Sequence, residues 1–406
     1  MADQRTPVIA RAALGAVAVL LAGCSAMTGT ATPGEIDVRT LDVGRYTTTP
    51  ADIENGREPT DGAILEGLRM GAAIVFPHDV DAGLTHNWGT DVLDTPRRTA
   101  DASAISNVNL PVLERHRMIT GFDIAEGSRA FDAKTPAIET DARVTRVVLL
   151  RFPGAAAAEA AARDLEATDF AVSPDNQPVP IPGYPAAHAH WRPGVKTIGA
   201  TFAHGEIVVS LFLQHPNPDI DALARRAAAI LDAQVPLLET FTPTAPDRIA
   251  DLPRDPDGLL RRALIPGPAN QQIAISSREF AAWPGRASLH YRPTEPAELA
   301  AAWDRGEVDS VANSYTTTLF RFRDDSAATD FGDTWQRTLS EAAHPVSAPD
   351  RVPGAHCAER RGATGSPALT RCYVSYRRYG AFVSGPEPAG VRQQAAAQYA
   401  LLANAS

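Results

Sequence analysis

Cysteine and lysine are nearly absent from this 406-residue chain, which has three cysteines, Cys24, Cys357 and Cys372, and two lysines, Lys134 and Lys196. So few thiols exclude a zinc site of the four-cysteine kind. The scarcity of lysine beside abundant arginine and alanine is a compositional bias of high-G+C genomes, a mark of lineage and not of function. Missing too are Gly-x-Ser-x-Gly, the nucleophile elbow of α/β-hydrolases, and the Ser-x-x-Lys of beta-lactamase-type enzymes. No phosphate-cradling glycine loop, coiled-coil heptad or nucleic-acid module is present. A formal net charge of −10 argues against nucleic acid or an anionic membrane as a partner of the whole surface. Hydrophobic content of 44% with 21% charged residues excludes wholesale disorder.

What is present begins at the N-terminus. Arg5 and Arg11 precede an apolar run from Ala12 to Leu21 that closes on Leu21-Ala22-Gly23-Cys24. A basic start, a short apolar core and small residues before a cysteine make a bacterial lipoprotein signal, with the Cys24 thiol as the lipid acceptor and the mature N-terminus. The competing readings are a transmembrane helix, for which the run is short against a bilayer core of ~30 Å, and a cleaved signal without lipid. The expected place is the cell membrane, lipid-anchored (palmitate included) on its extracytoplasmic face. Removing residues 1–23 leaves about 380 residues, more than one hydrophobic core usually accommodates.

Secretion sends Cys357 and Cys372 to an oxidising compartment, where an even pair is expected to form a disulfide. The turn-rich segment from Arg361 to Pro367 lets the two face each other across antiparallel strands. A metal site needs more ligands than this pair, and redox pairs are usually closer in sequence.

The body of the chain repeats itself. Leu149-Leu150-Arg151-Phe152 recurs as Leu319-Phe320-Arg321-Phe322, and an Ala-rich helical stretch follows each copy. Ile181-Pro182-Gly183 answers to Val352-Pro353-Gly354, and Phe202 to Ser210 answers to Tyr376 to Ser384. Upstream, Asp61-Gly62 resembles Asp257-Gly258, and Phe122-Asp123 pairs with Val308-Asp309. The common order at near-constant separation carries the duplication. Period and punctuation then predict an α+β fold of two related units, each a mostly antiparallel sheet covered by helices in the order β-α-β-β-β-α. The Pro-rich stretch from Pro174 to Pro185 reads as a surface loop, and Asn217-Pro218 as the start of a helix. The expected division is a signal peptide at 1–23, a flexible tether at 24–40, and α+β domains at 41–243 and 244–406.

The lipid signal, the segment Leu41-Asp42-Val43-Gly44-Arg45-Tyr46-Thr47-Thr48-Thr49-Pro50 and the paired Arg-Phe strands resemble an actinobacterial lipoprotein family with a duplicated domain of unknown function. The resemblance covers most of the mature chain and implies extracytoplasmic placement without an assigned reaction or catalytic residues.

Candidate chemistry is sparse. His188-Ala189-His190 on a strand puts two imidazoles on one face, a geometry open to a metal, but no carboxylate or cysteine lies at ligand spacing and the second unit does not repeat it. The expectation is therefore no metal and no cofactor. Arg371, Tyr373, Ser375 and Arg377 alternate onto one face of a strand, which makes Arg371, Tyr373 and Arg377 a candidate anion-contact face; the competing reading is a solvated outer face. No catalytic residue is assigned, and an enzyme is the less favoured class. The reading is a non-catalytic module that binds an envelope protein, glycan or lipid. The alternative is a hydrolase or transferase acting on envelope polymers, since paired carboxylates meet only in the fold.

Overall fold

The structure, a computed structural model, describes residues 36–405 apart from 55–56, 59, 103, 136–138, 266–273, 277–278 and 363–366. The lipid signal with Cys24, and Gly365-Ser366 in the loop between the other two cysteines, lie outside the described residues. The first sheet consists of β1 (His86–Leu93), β2 (Thr120–Gly127), β3 (Val144–Arg151), β4 (Gln177–Pro178), β5 (His188–Trp191), β6 (Thr197–His204) and β7 (Ile207–Gln214). Its order across the sheet is β1-β2-β3-β7-β6-β5-β4. The second consists of β8 (Phe280–Pro284), β9 (Ser310–Ser314), β10 (Thr317–Arg321), β11 (Ala343–Val346), β12 (His356–Arg360), β13 (Leu369–Tyr376) and β14 (Tyr379–Gly385). Its order, β8-β9-β10-β14-β13-β12-β11, repeats the first strand for strand, and every pairing is antiparallel. The fold is α+β with two related units.

Each unit has three strands more than its β-α-β-β-β-α reading. Two precede the Arg-Phe strand, and one short edge strand, β4 or β11, lies in the connection read as loop. β9 reads Ser-Val-Ala-Asn-Ser, with a single β-branched residue, so propensity gave no signal there. Pro178 in β4 is tolerated because an edge strand can leave one backbone position unpaired.

Helices α1 (Asp61–Gly71), α2 (Pro77–Val80), α3 (Pro96–Asp101), α4 (Leu110–Arg115), α5 (Ala155–Phe170) and α6 (Ile220–Thr240) accompany the first sheet; α7 (Ala297–Arg305), α8 (Asp325–Arg337) and α9 (Pro388–Asn404) accompany the second. α5 and α8 pack on one face of their sheets, α6 and α9 on the other. The cap of α6 is Asp219, whose carboxylate accepts from the Ala222 N–H at 2.9 Å, two residues beyond the expected Asn217. Asp61 opens the 11-residue α1, whereas Asp257 precedes only a 3-10 turn at Leu260–Arg262. Among the described residues no helix is long and apolar enough to cross a membrane. The segment from Leu41 lies on α9: Val43 and Tyr46 pack with Leu264, Ala397 and Leu401, and Gln393 donates to Asp42.

Alternation along β3 and β10 decides the layers. Phe152 is fully buried with Val148, Leu150, Ala158, Ala161 and Leu165 under α5. Phe322 lies among Phe320 and Phe331 under α8, with ring centroids at 6.2 and 5.3 Å. The preceding arginines point the other way and find carboxylates. Arg151, also fully buried, meets Glu66 of α1 at 2.5 Å and Glu206 at 3.0 Å and donates to the Thr244 carbonyl. Arg321 meets Asp257 and Asp309, both at 2.6 Å, nearer the surface.

Cys357 and Cys372 are directly opposed on β12 and β13 and form a disulfide with Cα atoms 4.1 Å apart. The tight turns fix the register of the repeat. His204 pairs with Ile207 and Tyr376 with Tyr379, so Gly205 corresponds to Arg377, both at positive φ. Phe202 therefore matches Val374, a two-residue correction to the sequence alignment. The counterparts of the cysteines are Ala189 and Ala200, a buried cross-strand pair. Likewise Arg151 and Arg321 set Phe122-Asp123 opposite Ala312-Asn313, not Val308-Asp309.

Replacing Arg151 by Met should destabilise the protein by about 3 kcal/mol in urea unfolding, because the buried Glu66 loses its buried cation and keeps only the partly exposed Arg69; Arg151→Met with Glu66→Leu should recover much of the loss. Arg321→Met should cost about 1 kcal/mol or less, its partners being half exposed. Equal losses at the two sites would contradict the assignment. Separately, Cys357→Ala with Cys372→Ala should lose roughly 3 kcal/mol, the chain-entropy value for a loop of this size, and still fold, as the Ala189–Ala200 pair does in the first unit.

Candidate functional site: paired clefts over the two sheets

Beyond the C-terminal end of its covering helix, each sheet leaves part of one face open, and a cleft forms there. In the first unit the floor comes from β3, β5, β6 and β7 through Arg146, His190, Gly199 and Ser210, and the cleft measures about 570 Å³. In the second, β10, β12, β13 and β14 supply Thr318, Ala358, Arg371 and Phe382 to a cleft of about 460 Å³. The register makes these positions equivalent: His190 stands where Ala358 does, Gly199 where Arg371 does, Ser210 where Phe382 does. The helix ends give Asp169 on one side and Leu339 on the other. The first lining mixes polar and apolar groups; the second is mostly apolar with Arg371 in it.

In the first cleft His190 and Arg146 each have a charged mate. His190 Nδ1 is 2.8 Å from Glu166 Oε1 on α5, and that hydrogen bond raises the imidazole pKa while burial pushes the Glu166 carboxyl up. Burial likewise raises Asp169. Arg146 grips Asp123 with two bonds of 3.0 Å. Asp123 is nevertheless pushed up to about 6, mainly by burial, with the neighbouring Asp91 adding to it. Asp91 and Asp123 are direct cross-strand neighbours, a carboxylate pair that sequence reading missed because the helices and loops between β1 and β2 separate them. Arg98 holds both oxygens of Asp91 at 3.0 Å. Buried and occupied by guanidinium groups, these two carboxylates cannot flank a substrate bond. Ser210 has no hydrogen bond to His188 or His190 among the described residues, and in the same set no three His, Cys, Asp or Glu residues are placed to hold a metal.

The trio Arg371, Tyr373 and Arg377 does not form one exposed face. Tyr373 is buried under α8 and donates to the Ala328 carbonyl at 2.7 Å. Its ring passes where a Cβ on Gly332 would sit, 2.4 Å away. Arg377 occupies the β13–β14 turn at φ 49° over the Tyr376 ring. Only Arg371 enters the cleft, 3.7 Å above the centroid of Phe382. The alternation was readable; the helix over Tyr373 was a tertiary fact.

Two matches cover most of the chain: a domain of unknown function, DUF7373 N-terminal, at residues 53–254, and its C-terminal companion at residues 259–405. The chain belongs to the DUF7373 family. No curated protein matches this DUF7373 chain. A solved structure that it is similar to is the extracellular domain of PknH from Mycobacterium tuberculosis, at 10% identity and a TM-score of 0.31, over 43% of this chain and 96% of that one. Nothing further follows from a likeness of that size.

The second unit of this DUF7373 pair carries Asn313 where the first has Asp123, which suggests a direct test of the buried acid. A carboxyl whose pKa is raised from about 3.8 to about 6 binds more protons folded than unfolded between those values. Its contribution to stability is therefore present at low pH and lost as pH rises through about 6. Asp123→Asn should remove that loss, so the stability difference between wild type and variant should change by about 2–3 kcal/mol from pH 4 to pH 7. A difference independent of pH would show that Asp123 is charged throughout.

Proposed function

We propose that the protein is an extracytoplasmic module, anchored to the cell membrane by lipid on Cys24, that binds ligands in its two clefts without transforming them. The observation that carries this reading is the pair of clefts at equivalent positions with unlike linings. A duplicated enzyme site would be expected to retain a reacting group in at least one copy, whereas here Arg146 and His190 of the first cleft are taken up by ion pairs and the second cleft has no polar groups that converge. The basic, apolar and small-residue order ahead of Cys24 supports the membrane anchor, and the Cys357–Cys372 disulfide suits an oxidising compartment.

Both parts have a direct test. Cys24→Ala should abolish incorporation of a fatty-acid analogue and release the protein from the membrane fraction; continued labelling would end the lipoprotein reading. Native mass spectrometry of protein released gently from membranes should show a bound small molecule whose mass stays constant on prolonged incubation. Gly199→Phe and Thr318→Trp together should remove it, since Gly199 has open space where a side chain would enter, with the nearest atom, in His190, 3.5 Å from an added Cβ. Conversion of the ligand, or its retention by the filled variant, would overturn the proposal.

A further inference from the structure

The cleft of the second unit holds a cation, Arg371, that no carboxylate of the described residues meets. Arg371 lies over Phe382, and among the described residues it has no carboxylate or hydrogen-bonding partner. Stacking on the ring face satisfies the charge in part but leaves the N–H donors at the guanidinium edge free, and these match a carboxylate or phosphate in two-pronged geometry. Arg371 is exposed at the cleft, so its guanidinium is hydrated and charged at neutral pH. Trp335 and Leu339 at the end of α8 form one wall, Tyr291 and Leu299 the other, and Phe320 part of the floor. The other charged lining groups are Arg360 and Glu295. A local excess of positive charge in a chain of net charge −10 favours an anion here. A volume of about 460 Å³ falls at the small end of the ~300–1,000 Å³ of pockets that enclose one small molecule.

The geometry points to a single-chain amphiphilic anion as the ligand of this cleft, its apolar chain on Phe320, Trp335 and Leu339 and its carboxylate or phosphate head on Arg371. The inference rests on the reading of the clefts as ligand sites and adds a ligand class to one of them. The first unit supplies an internal control. At the positions of Arg371, Phe382 and Leu339 it has Gly199, Ser210 and Asp169, so it lacks the cation stacked on a ring that the second cleft presents.

Isothermal titration of the folded protein with laurate, dodecyl phosphate and dodecanol, each below its aggregation concentration, tests this. The two anions should bind about tenfold or more tighter than the alcohol, the factor expected of one charge-assisted hydrogen bond, and the tighter of the two identifies the head group. Arg371→Gln should bring the anions down to the affinity of the alcohol, and Arg371→Lys should restore part of the difference. Thr318→Trp should abolish all three, while Gly199→Phe should leave them unchanged; thermal melts check that each variant is folded. Equal binding of acid and alcohol, insensitivity to Arg371→Gln, or loss of binding in Gly199→Phe would overturn the assignment. If no amphiphile binds while membrane-released protein still carries a ligand that the double filling removes, this inference fails and the broader reading stands; if that protein carries no such ligand, the broader reading fails with it.

Discussion

The buried Arg151–Glu66 pair is the constraint on which the first unit depends. A guanidinium with no solvent exposure has to be met by carboxylate, and the groups that meet it come from α1, from the β6–β7 turn and from the chain just after α6. Glu66 also accepts from Arg69 and from the Thr244 backbone and hydroxyl. One ion cluster therefore fixes three elements on the face of the sheet opposite Phe152. Phe152 fixes α5 on the other face by burial. The same two-residue device, Arg321-Phe322, operates in the second unit with Asp257 and Asp309 as partners. A period of two along one strand thus positions both layers, and the clefts are what α5 and α8 leave uncovered.

Much of this was legible in the sequence, and the failures have physical causes. The Arg-Phe strands, the helices after them, the disulfide and the duplication follow from residue types at short range. Ile181-Pro182-Gly183 and Val352-Pro353-Gly354 do occupy matching loops, with Gly183 and Gly354 both at positive φ. Alignment by letter similarity slipped by two residues around Phe202 because it matched aromatic side chains, whereas the turns at Gly205 and Arg377 set the true register. The strands β2 and β9 escaped notice because Asp123, Glu126, Asn313 and their small neighbours do not read as strand; ion pairs and neighbouring strands hold them there. The clefts were invisible because their walls come from helix ends and loops remote in sequence from the floor.

Divergence between the copies is concentrated where the fold needs it least. The core positions keep their character: Phe152 and Phe322 under helices, Ala189–Ala200 against Cys357–Cys372 between strands. In the clefts, Gly199, Ser210 and His190 face Arg371, Phe382 and Ala358, exchanges of charge, size and polarity that burial does not require. Residues lining the cleft mouths include apolar side chains left open to solvent, Val172 and Phe212 in the first unit and Leu369 in the second, so association there would remove apolar surface from water. Such a pattern fits the proposed reading of two sites adapted to different ligands on one scaffold.

The central claim is that ligands of the membrane envelope occupy these two clefts. Amide hydrogen exchange across the whole chain, with and without a small-molecule extract of the source envelope, measures this directly. The account predicts added protection in β5 and β6 around His190 and Gly199 and in β12 and β13 around Ala358 and Arg371, with little change in α9 or β1. Protection confined to α9 and the segment from Leu41 to Pro50, with the cleft strands unchanged, would contradict it.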